Sequence, residues 1–324
     1  MHVLVLGASG MLGRVIGDTL LDAGHEVTGV CRSGRVSPRL GDHGSVRRAD
    51  LATATDAVLD DLFQGANAVV HCLGPDDREP LPAPAAATLE RLLVGTTVRV
   101  AQAARRRGVR HLVVLGSYFS AFDRLHPQWR LSARHPYIRA RVEQARRAEQ
   151  AAPGLVTVLE IPFVFGASPG VEPALKVLFD RIRFGPVGLA IGGGGTAAVR
   201  HTDVASAVLA VVTGSVPPGR HPLAVDNITY RHLARIVLDE SGRPSPILAV
   251  PRPIATAGVV GLAAAHRLRG RAMGLAPLHV ARDILGRQLY LDPHTYGAPL
   301  GLVPGNVDEA IRESVRAAYP AATR

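Results

Sequence analysis

Lysine is almost missing from this 324-residue chain: Lys176 is the only one among 37 basic residues. The formal net charge of +10 is therefore carried by arginine. Those arginines are scattered, as a coding bias would scatter them. No basic block alternates with stacking aromatics, and no zinc-finger or basic-zipper spacing occurs, so no nucleic-acid partner is expected. The clusters Arg105, Arg106, Arg107 and Arg139, Arg141, Arg146, Arg147 fall on predicted helices, where a solvated face is the simplest role. Cysteine is nearly as scarce. Cys31 and Cys72 build neither a disulfide framework nor a metal site, which fits buried free thiols in a reducing cytoplasm. His266, His279 and His294 lack ligand spacing, so no metal is expected. Long apolar runs are missing too. The longest, residues 254–265, falls short of the ~20 residues a spanning helix needs, and no basic leader precedes the apolar run at the start. A soluble protein without a membrane partner is expected. With 47% hydrophobic and 20% charged residues the composition is that of an ordinary globular chain.

What is present begins at the first thirteen residues, MHVLVLGASGMLG. Residues 3–6 are wholly apolar, as in a strand buried on both faces of a parallel sheet. Gly7, Gly10 and Gly13 follow at three-residue spacing, and residues 11–21 read as an amphipathic helix. Strand, glycine turn and helix form the context of a dinucleotide-binding fingerprint. Glycine permits the sharp turn and the close approach of backbone to a pyrophosphate, whose charge the helix N-terminus stabilises.

The first half repeats the theme of short apolar strand and helix. Further strands are predicted at residues 27–30, 45–48, 68–72, 111–115 and 155–161. A long helix is predicted over 85–107, ending at Gly108 as its C-cap. This alternation predicts an α/β fold, a doubly wound parallel sheet with its ligand at the C-terminal strand ends. Residues 1–165 are read as the dinucleotide-binding domain, its sheet completed by a later strand near 198–226. Residues 166–324 are read mainly as a less regular substrate-binding or lid region. There Asp203 is placed to cap a helix over 204–212. Helices are also predicted at 231–239 and 308–319. His201 and Asp203 offer a dyad as the alternative to that cap. Residues 75–84 are polar and proline-rich, the composition of a mobile loop.

In this order, the segments resemble the extended short-chain dehydrogenase/reductase family, also known as the NAD-dependent epimerase/dehydratase family. GASGMLG is similar to its nucleotide loop, which implies cofactor contacts at Gly7, Ser9, Gly10, Met11, Leu12 and Gly13. RADL resembles the adenine-contacting segment and points to Asp50 and Leu51. VVHCLG resembles the strand and turn that supply Leu73 and Gly74. VGTTVRVAQAARRRGVRHLVVLGS resembles the helix and strand leading to a catalytic serine, here Ser117. YIRAR stands where the family has YxxxK, so the resemblance implies Tyr137 and Arg141 as catalytic and cofactor-binding residues. IPFVFG resembles the segment beside the nicotinamide, implying Pro162 and Val164, and LGLVPGNVDEAIRESVRAAY resembles the closing segment. A small-molecule substrate and a homodimer are consistent with that resemblance.

Cofactor choice turns on the end of the second strand. NAD binders of this shape usually place an acid there to hold the ribose 2′-hydroxyl. This chain has Cys31, then Arg32, with Arg35 close by. A guanidinium pairs with a 2′-phosphate, which a carboxylate would repel, so NADP is expected ahead of NAD.

The resemblance implies hydride transfer with Tyr137 as general acid/base and Ser117 holding the substrate oxygen. An unperturbed tyrosine titrates near ~10, and a nearby cation favours its phenolate. The i, i+4 spacing places Arg141 on the same helix face. Arginine keeps the charge of the family's lysine but gives up no proton, so a lysine-style proton relay is lost. Leu92 and Val164 stand where sugar-nucleotide members carry asparagine. Phe119, Phe122, Trp129, Phe163 and Phe165 are candidates for an apolar pocket wall, the alternative being that several are core. The expected function is NADP(H)-dependent oxidoreduction of a small, rather apolar alcohol or ketone. The alternatives are an epimerase or dehydratase acting on a sugar-type substrate, and a non-catalytic NADP-binding sensor or scaffold.

Overall fold

A computed structural model describes residues 1–75, 79–183 and 188–320. Six strands alternate with helices through the first half: β1 (His2–Leu6), β2 (Glu26–Cys31), β3 (Ser45–Arg48), β4 (Ala68–His71), β5 (His111–Leu115) and β6 (Val156–Glu160). Beyond them lie β7 (Phe163–Phe165), β8 (Gly195–Arg200), β9 (Gly219–Pro222), β10 (Asp226–Thr229) and β11 (Gln288–Leu289). The main sheet runs β9-β6-β5-β4-β1-β2-β3, and every pairing in it is parallel. The direction of winding reverses at β1, which pairs with β2 on one side and β4 on the other. Ligands of open parallel sheets sit at such a switch point, outside the C-terminal strand ends.

Strand alternation sorts the apolar residues into two layers. Val3, Val5, Ala68, Val70 and Val113 face one core, with Ile16 and Leu20 of α1 (Met11–Asp22) packed against them. Leu4, Leu6, Val69, Leu112 and Val114 face the other. Burying each such side chain contributes roughly 1.5–3 kcal/mol, which is why these short strands hold without polar help. The second layer is closed by helices on the far side of the sheet. They are α3 (Thr96–Arg106) and the C-terminal half of α5 (Pro136–Ala151); α2 (Ala85–Leu89), which runs through a π turn (Glu90–Gly95) into α3, buries Ala85 and Leu89 in the first core. Between β5 and α5 lies α4 (Tyr118–Leu125).

The long helix predicted over 85–107 is thus interrupted by a π turn, where Thr96 Oγ1 donates back to the Arg91 carbonyl. Gly108 follows it with φ +68°, a left-handed stop that glycine adopts without strain. The cap of α6 (His201–Val212) also differs from expectation. Arg200 is the N-cap and Asp203 lies inside the first turn, its carboxylate accepting from the Arg200 backbone N–H and Nε. That pairing with Arg200 takes Asp203 out of any dyad with His201. The remaining helices include α7 (Tyr230–Glu240), α8 (Arg252–Arg267) and α9 (Asp308–Ala318). A second small sheet, β10-β8-β11 with β7 beside β8, lies outside the main one. Residues 76–78 of the proline-rich loop lie outside the described residues. No helix among the described residues is long and apolar enough to cross a membrane.

Two buried carboxylates fasten the site's supports. Glu160, at the end of β6, accepts from Ser120 and from both terminal nitrogens of Arg124, which pins α4 to the sheet. Asp283 gathers Arg134, His135 and Arg282, tying the turn before α5 to the C-terminal region. Opposite charges explain the choice of carboxylates here, since an unpaired buried ion would be costly.

Candidate active site

The C-terminal ends of β1, β4 and β5 open into two adjoining cavities of about 420 and 250 Å³. Gly7, Gly10, Cys72, Leu73, Gly74 and Pro75 border both. The larger reaches toward β2 and β3, where Ser9, Arg32, Asp50, Leu51 and Leu92 line it. The smaller reaches toward β5, and its walls carry Met11, Leu12, Gly13, Ser117, Tyr137, Arg141, Pro162 and Val164. Apart from Arg35, every residue singled out from the sequence for cofactor or catalysis therefore borders this one cleft.

The glycine turn has the geometry its spacing demands. Gly7 has φ +94°, and its N–H donates to the Val30 carbonyl over 2.8 Å. A Cβ on Gly13 would lie 2.2 Å from the Gly7 carbonyl oxygen, so α1 packs directly on the turn. Gly10 differs: the nearest atom to its Cβ would be the Gly7 oxygen at 3.5 Å, and the side open to it is the cleft. Gly10 also caps α1 with no side-chain hydrogen bond, and the first turn carries no acid. Unshielded N–H groups at a helix start suit an anionic group. The cradle fits a dinucleotide pyrophosphate.

Asp50 Oδ1 accepts from the Ala52 N–H, which holds the RADL turn against the larger cavity. Cys31 and Cys72 are free thiols; Cys31 is buried and Cys72 packs against the core, and both also line the cleft. Burial pushes the Cys72 thiol up to about 12, so it stays protonated and unreactive.

At the other end, Ser117 terminates β5 and caps α4, its Oγ accepting from the Phe119 N–H over 3.4 Å. Tyr137 lies in the first turn of α5, nearly buried, with its backbone N–H on the Gly274 carbonyl. One helical turn on, Arg141 Nε donates to Tyr137 Oη over 2.9 Å. The same guanidinium donates from Nη1 to the Leu115 carbonyl at 3.2 Å and to Gln144 Oε1 at 2.9 Å. Arg141 is thus turned into the site, away from the solvated face expected of its helix neighbours.

The aromatic wall is smaller than the sequence implied. Phe119 and Phe163 border the cavity. Phe122 and Phe165 are core, and Trp129 stacks on His126 with Arg287 over its other side. The reason is depth: Phe119 and Phe163 begin their elements at the open edge of the sheet, and Phe122 and Phe165 lie further in.

Three contributors carried too little sequence signal to be found. Arg14, just after the glycine turn, donates to the carbonyls of Ser9 and Pro169. Ser168 Oγ donates to the Met11 carbonyl. Together they strap the segment carrying Ala174 and Leu175 over the cleft. His71, at the end of β4, is fully buried behind Arg141. Burial and that positive charge hold its imidazole down to about 4. The unfolded chain takes up the same proton near 6.5, so between these values it binds more protons than the folded chain and stability rises with pH. Acidification through this range is expected to remove on the order of 3 kcal/mol. Urea midpoints measured against pH check this, with His71→Asn flattening the acid limb.

Residues 7–155 match the model of the NAD(P)H-binding family. No curated protein matches the chain. Among solved structures, a UDP-glucose 4-epimerase from Bifidobacterium longum in complex with NAD+ and UDP superposes with TM-score 0.68 at 16% identity, covering 98% of each chain. The enzyme WbmG of Bordetella bronchiseptica, in complex with NAD and UDP, gives TM-score 0.68 at 15% identity, covering 97% of this chain and 94% of that one. A UDP-glucose 4-epimerase from Thermotoga maritima with UDP-glucose gives 0.67 at 15%, covering 98% of each. Residues 7–155 thus match an NAD(P)H-binding family model, within a chain that shares its fold with these solved UDP-glucose 4-epimerases.

Proposed function

We propose that this protein is an NADP(H)-dependent oxidoreductase that moves hydride to or from a secondary alcohol or ketone on a small, rather apolar substrate. The observation that carries the proposal is the contact of Arg141 Nε with Tyr137 Oη at the cavity wall. A cation held against the phenol oxygen stabilises the phenolate, so Tyr137 can take the proton of an alcohol or return one to a forming alkoxide. Arg141 keeps its own protons and acts by charge. Ser117 Oγ, fixed at the start of α4, donates to the substrate oxygen. The bound nicotinamide supplies or accepts the hydride.

Substrate class follows from the walls. Arg141 is the one charged side chain among the described residues lining the smaller cavity, whose other faces include Phe119, Phe163, Val164 and Leu175. A nucleotide sugar would bring a diphosphate with no second cation to meet it. Cofactor preference rests on two guanidinium groups. Arg32 borders the larger cavity, and strand register sets Arg48 opposite Cys31. Arg48 closes over Gly34, where a Cβ would come within 2.6 Å of its Nε. A 2′-phosphate suits this end of β2 better than a bare ribose hydroxyl, although the Bifidobacterium longum and Bordetella bronchiseptica structures named above hold NAD.

Calorimetric titration tests the cofactor. NADPH is expected to bind more tightly than NADH, and Arg32→Ala to weaken NADPH about tenfold or more with little effect on NADH. Tighter NADH binding by the native chain would overturn the assignment. NADPH absorbance against a panel of apolar ketones tests the reaction, and chromatography of UDP-glucose incubated with protein and cofactor, read for its C4 epimer, tests the sugar-nucleotide alternative. Turnover of the sugar nucleotide alone makes the protein an epimerase, and binding without turnover makes it a sensor.

A further inference from the structure

The Tyr137 contact uses only one of the nitrogens by which Arg141 is held. Because a guanidinium only donates, Gln144 must present Oε1 to it, which turns Gln144 Nε2 toward Thr97 Oγ1 at 2.9 Å. Thr97 Oγ1 lies 3.0 Å from His71 Nε2, and no other acceptor meets that hydroxyl among the described residues. The chain ends on that imidazole, whose Nδ1 meets no partner among the described residues. Arg141 donates to Gln144, and Gln144 donates onward to Thr97. The three residues come from α5, α3 and β4, and each is at most 1% exposed. A buried amide, hydroxyl and imidazole carry a desolvation cost that apolar side chains at these positions would not.

We propose that Gln144, Thr97 and His71 form a buried brace that sets the guanidinium plane of Arg141 with Nε on Tyr137 Oη, making Gln144 a positioning residue for the proton-transferring pair. The inference rests on the reading of Tyr137 as the proton-transferring group. The brace follows from arginine standing where lysine is usual. An ammonium is a compact point charge, whereas a planar guanidinium places its charge only if several of its donors are held. Leu115 and Gln144 supply acceptors on one side, Tyr137 on the other. Gln144 is also neutral. A carboxylate at the same 2.9 Å would cancel the charge that Tyr137 needs, while an amide aims it and leaves it intact. Among the described residues, the titratable groups facing Tyr137 are Arg141 on its own helix and, behind it, His71 from β4, which is neutral near pH 7. Phe119 from α4 meets the ring edge-on, and Gly274 packs against Tyr137 Cβ; neither adds charge.

The test is a titration of carbon-13-labelled tyrosine by NMR on the full chain, with Tyr137 assigned by its loss in Tyr137→Phe. Beside it runs the pH–rate profile of alcohol oxidation. Gln144→Glu and Gln144→Leu are expected to raise the Tyr137 midpoint by about one pH unit or more. They should move the rise of kcat to higher pH by the same amount, with the KM for cofactor little changed. Thr97→Val should shift the midpoint in the same direction by less, and Thr97→Ser should restore it. A Tyr137 midpoint unmoved in Gln144→Glu, which keeps the size and acceptor of the native side chain and so tests the brace even if Gln144→Leu fails to fold, overturns the inference. A lowered rate with an unmoved midpoint would sink the brace and leave Tyr137 as the acid/base. A moved midpoint in a protein that turns over nothing would keep the brace and sink the oxidoreductase reading.

Discussion

Turnover is expected to fall about 10²–10⁴-fold in Tyr137→Phe, the usual contribution of a positioned acid/base, with NADPH affinity nearly unchanged. The substitution removes one oxygen. The ring keeps its edge contact with Phe119, 6.3 Å between centroids, and the backbone keeps its bond to Gly274. Packing is therefore conserved, and the loss is chemical. What disappears is the group at 2.9 Å from Arg141 Nε, where a phenol proton is held beside a fixed cation at the cavity wall. Arg141→Lys is the matching control: it restores a point charge that can also move a proton, and turnover should be preserved or raised. Steady-state rates with an accepted ketone, read beside calorimetric NADPH binding, decide the matter. Unchanged turnover in Tyr137→Phe would remove the mechanism altogether.

Gly13→Ala is expected to abolish cofactor binding and to destabilise the fold by about 3 kcal/mol or more. The added Cβ would stand 2.2 Å from the Gly7 oxygen and 2.8 Å from Ala8 Cα. Both are backbone atoms, and neither can swing aside as the end of a flexible side chain can. Relief requires α1 to move off the turn, which takes the helix N-terminus away from the pyrophosphate cradle. It also pulls Ile16 and Leu20 from a core they fill completely. Gly10→Ala separates the two effects, since no protein atom lies closer than 3.5 Å to its Cβ. That variant should fold normally and lose affinity, because the methyl group enters the cleft. Urea denaturation and NADPH titration of the pair are the measurements. A Gly13→Ala protein of native stability and affinity would show that the turn yields without cost.

Much of this architecture is local, and so it is legible residue by residue. The apolar run at Val3–Leu6 is a buried strand because each face of the sheet is covered, and β5 keeps its predicted limits for the same reason, whereas β3 keeps its limits as an exposed edge strand paired with β2. Tyr137 and Arg141 meet because they stand one helical turn apart on α5. The departures are equally physical. Asp203 bonds to Arg200 from inside the first turn, since a long guanidinium beside it makes that the better partner. Trp129 looks like a pocket residue by composition, yet stacking between His126 and Arg287 claims both its faces.

Chain-local chemistry alone determines the parallel α/β fold, the glycine turn and the pairing of phenol with guanidinium. All three depend on residues within a few positions of one another, or on hydrophobic periodicity. Tertiary structure alone decides which phenylalanines face the cavity, how the Ser168 strap reaches Met11, and what holds Arg141 from behind. Those contacts join residues far apart in sequence: 157 positions for Ser168 and Met11, 47 for Gln144 and Thr97, 26 for Thr97 and His71. No periodicity encodes such pairs. Their partners become neighbours only when the sheet has formed and two-sided burial has left each polar group a single place to bond.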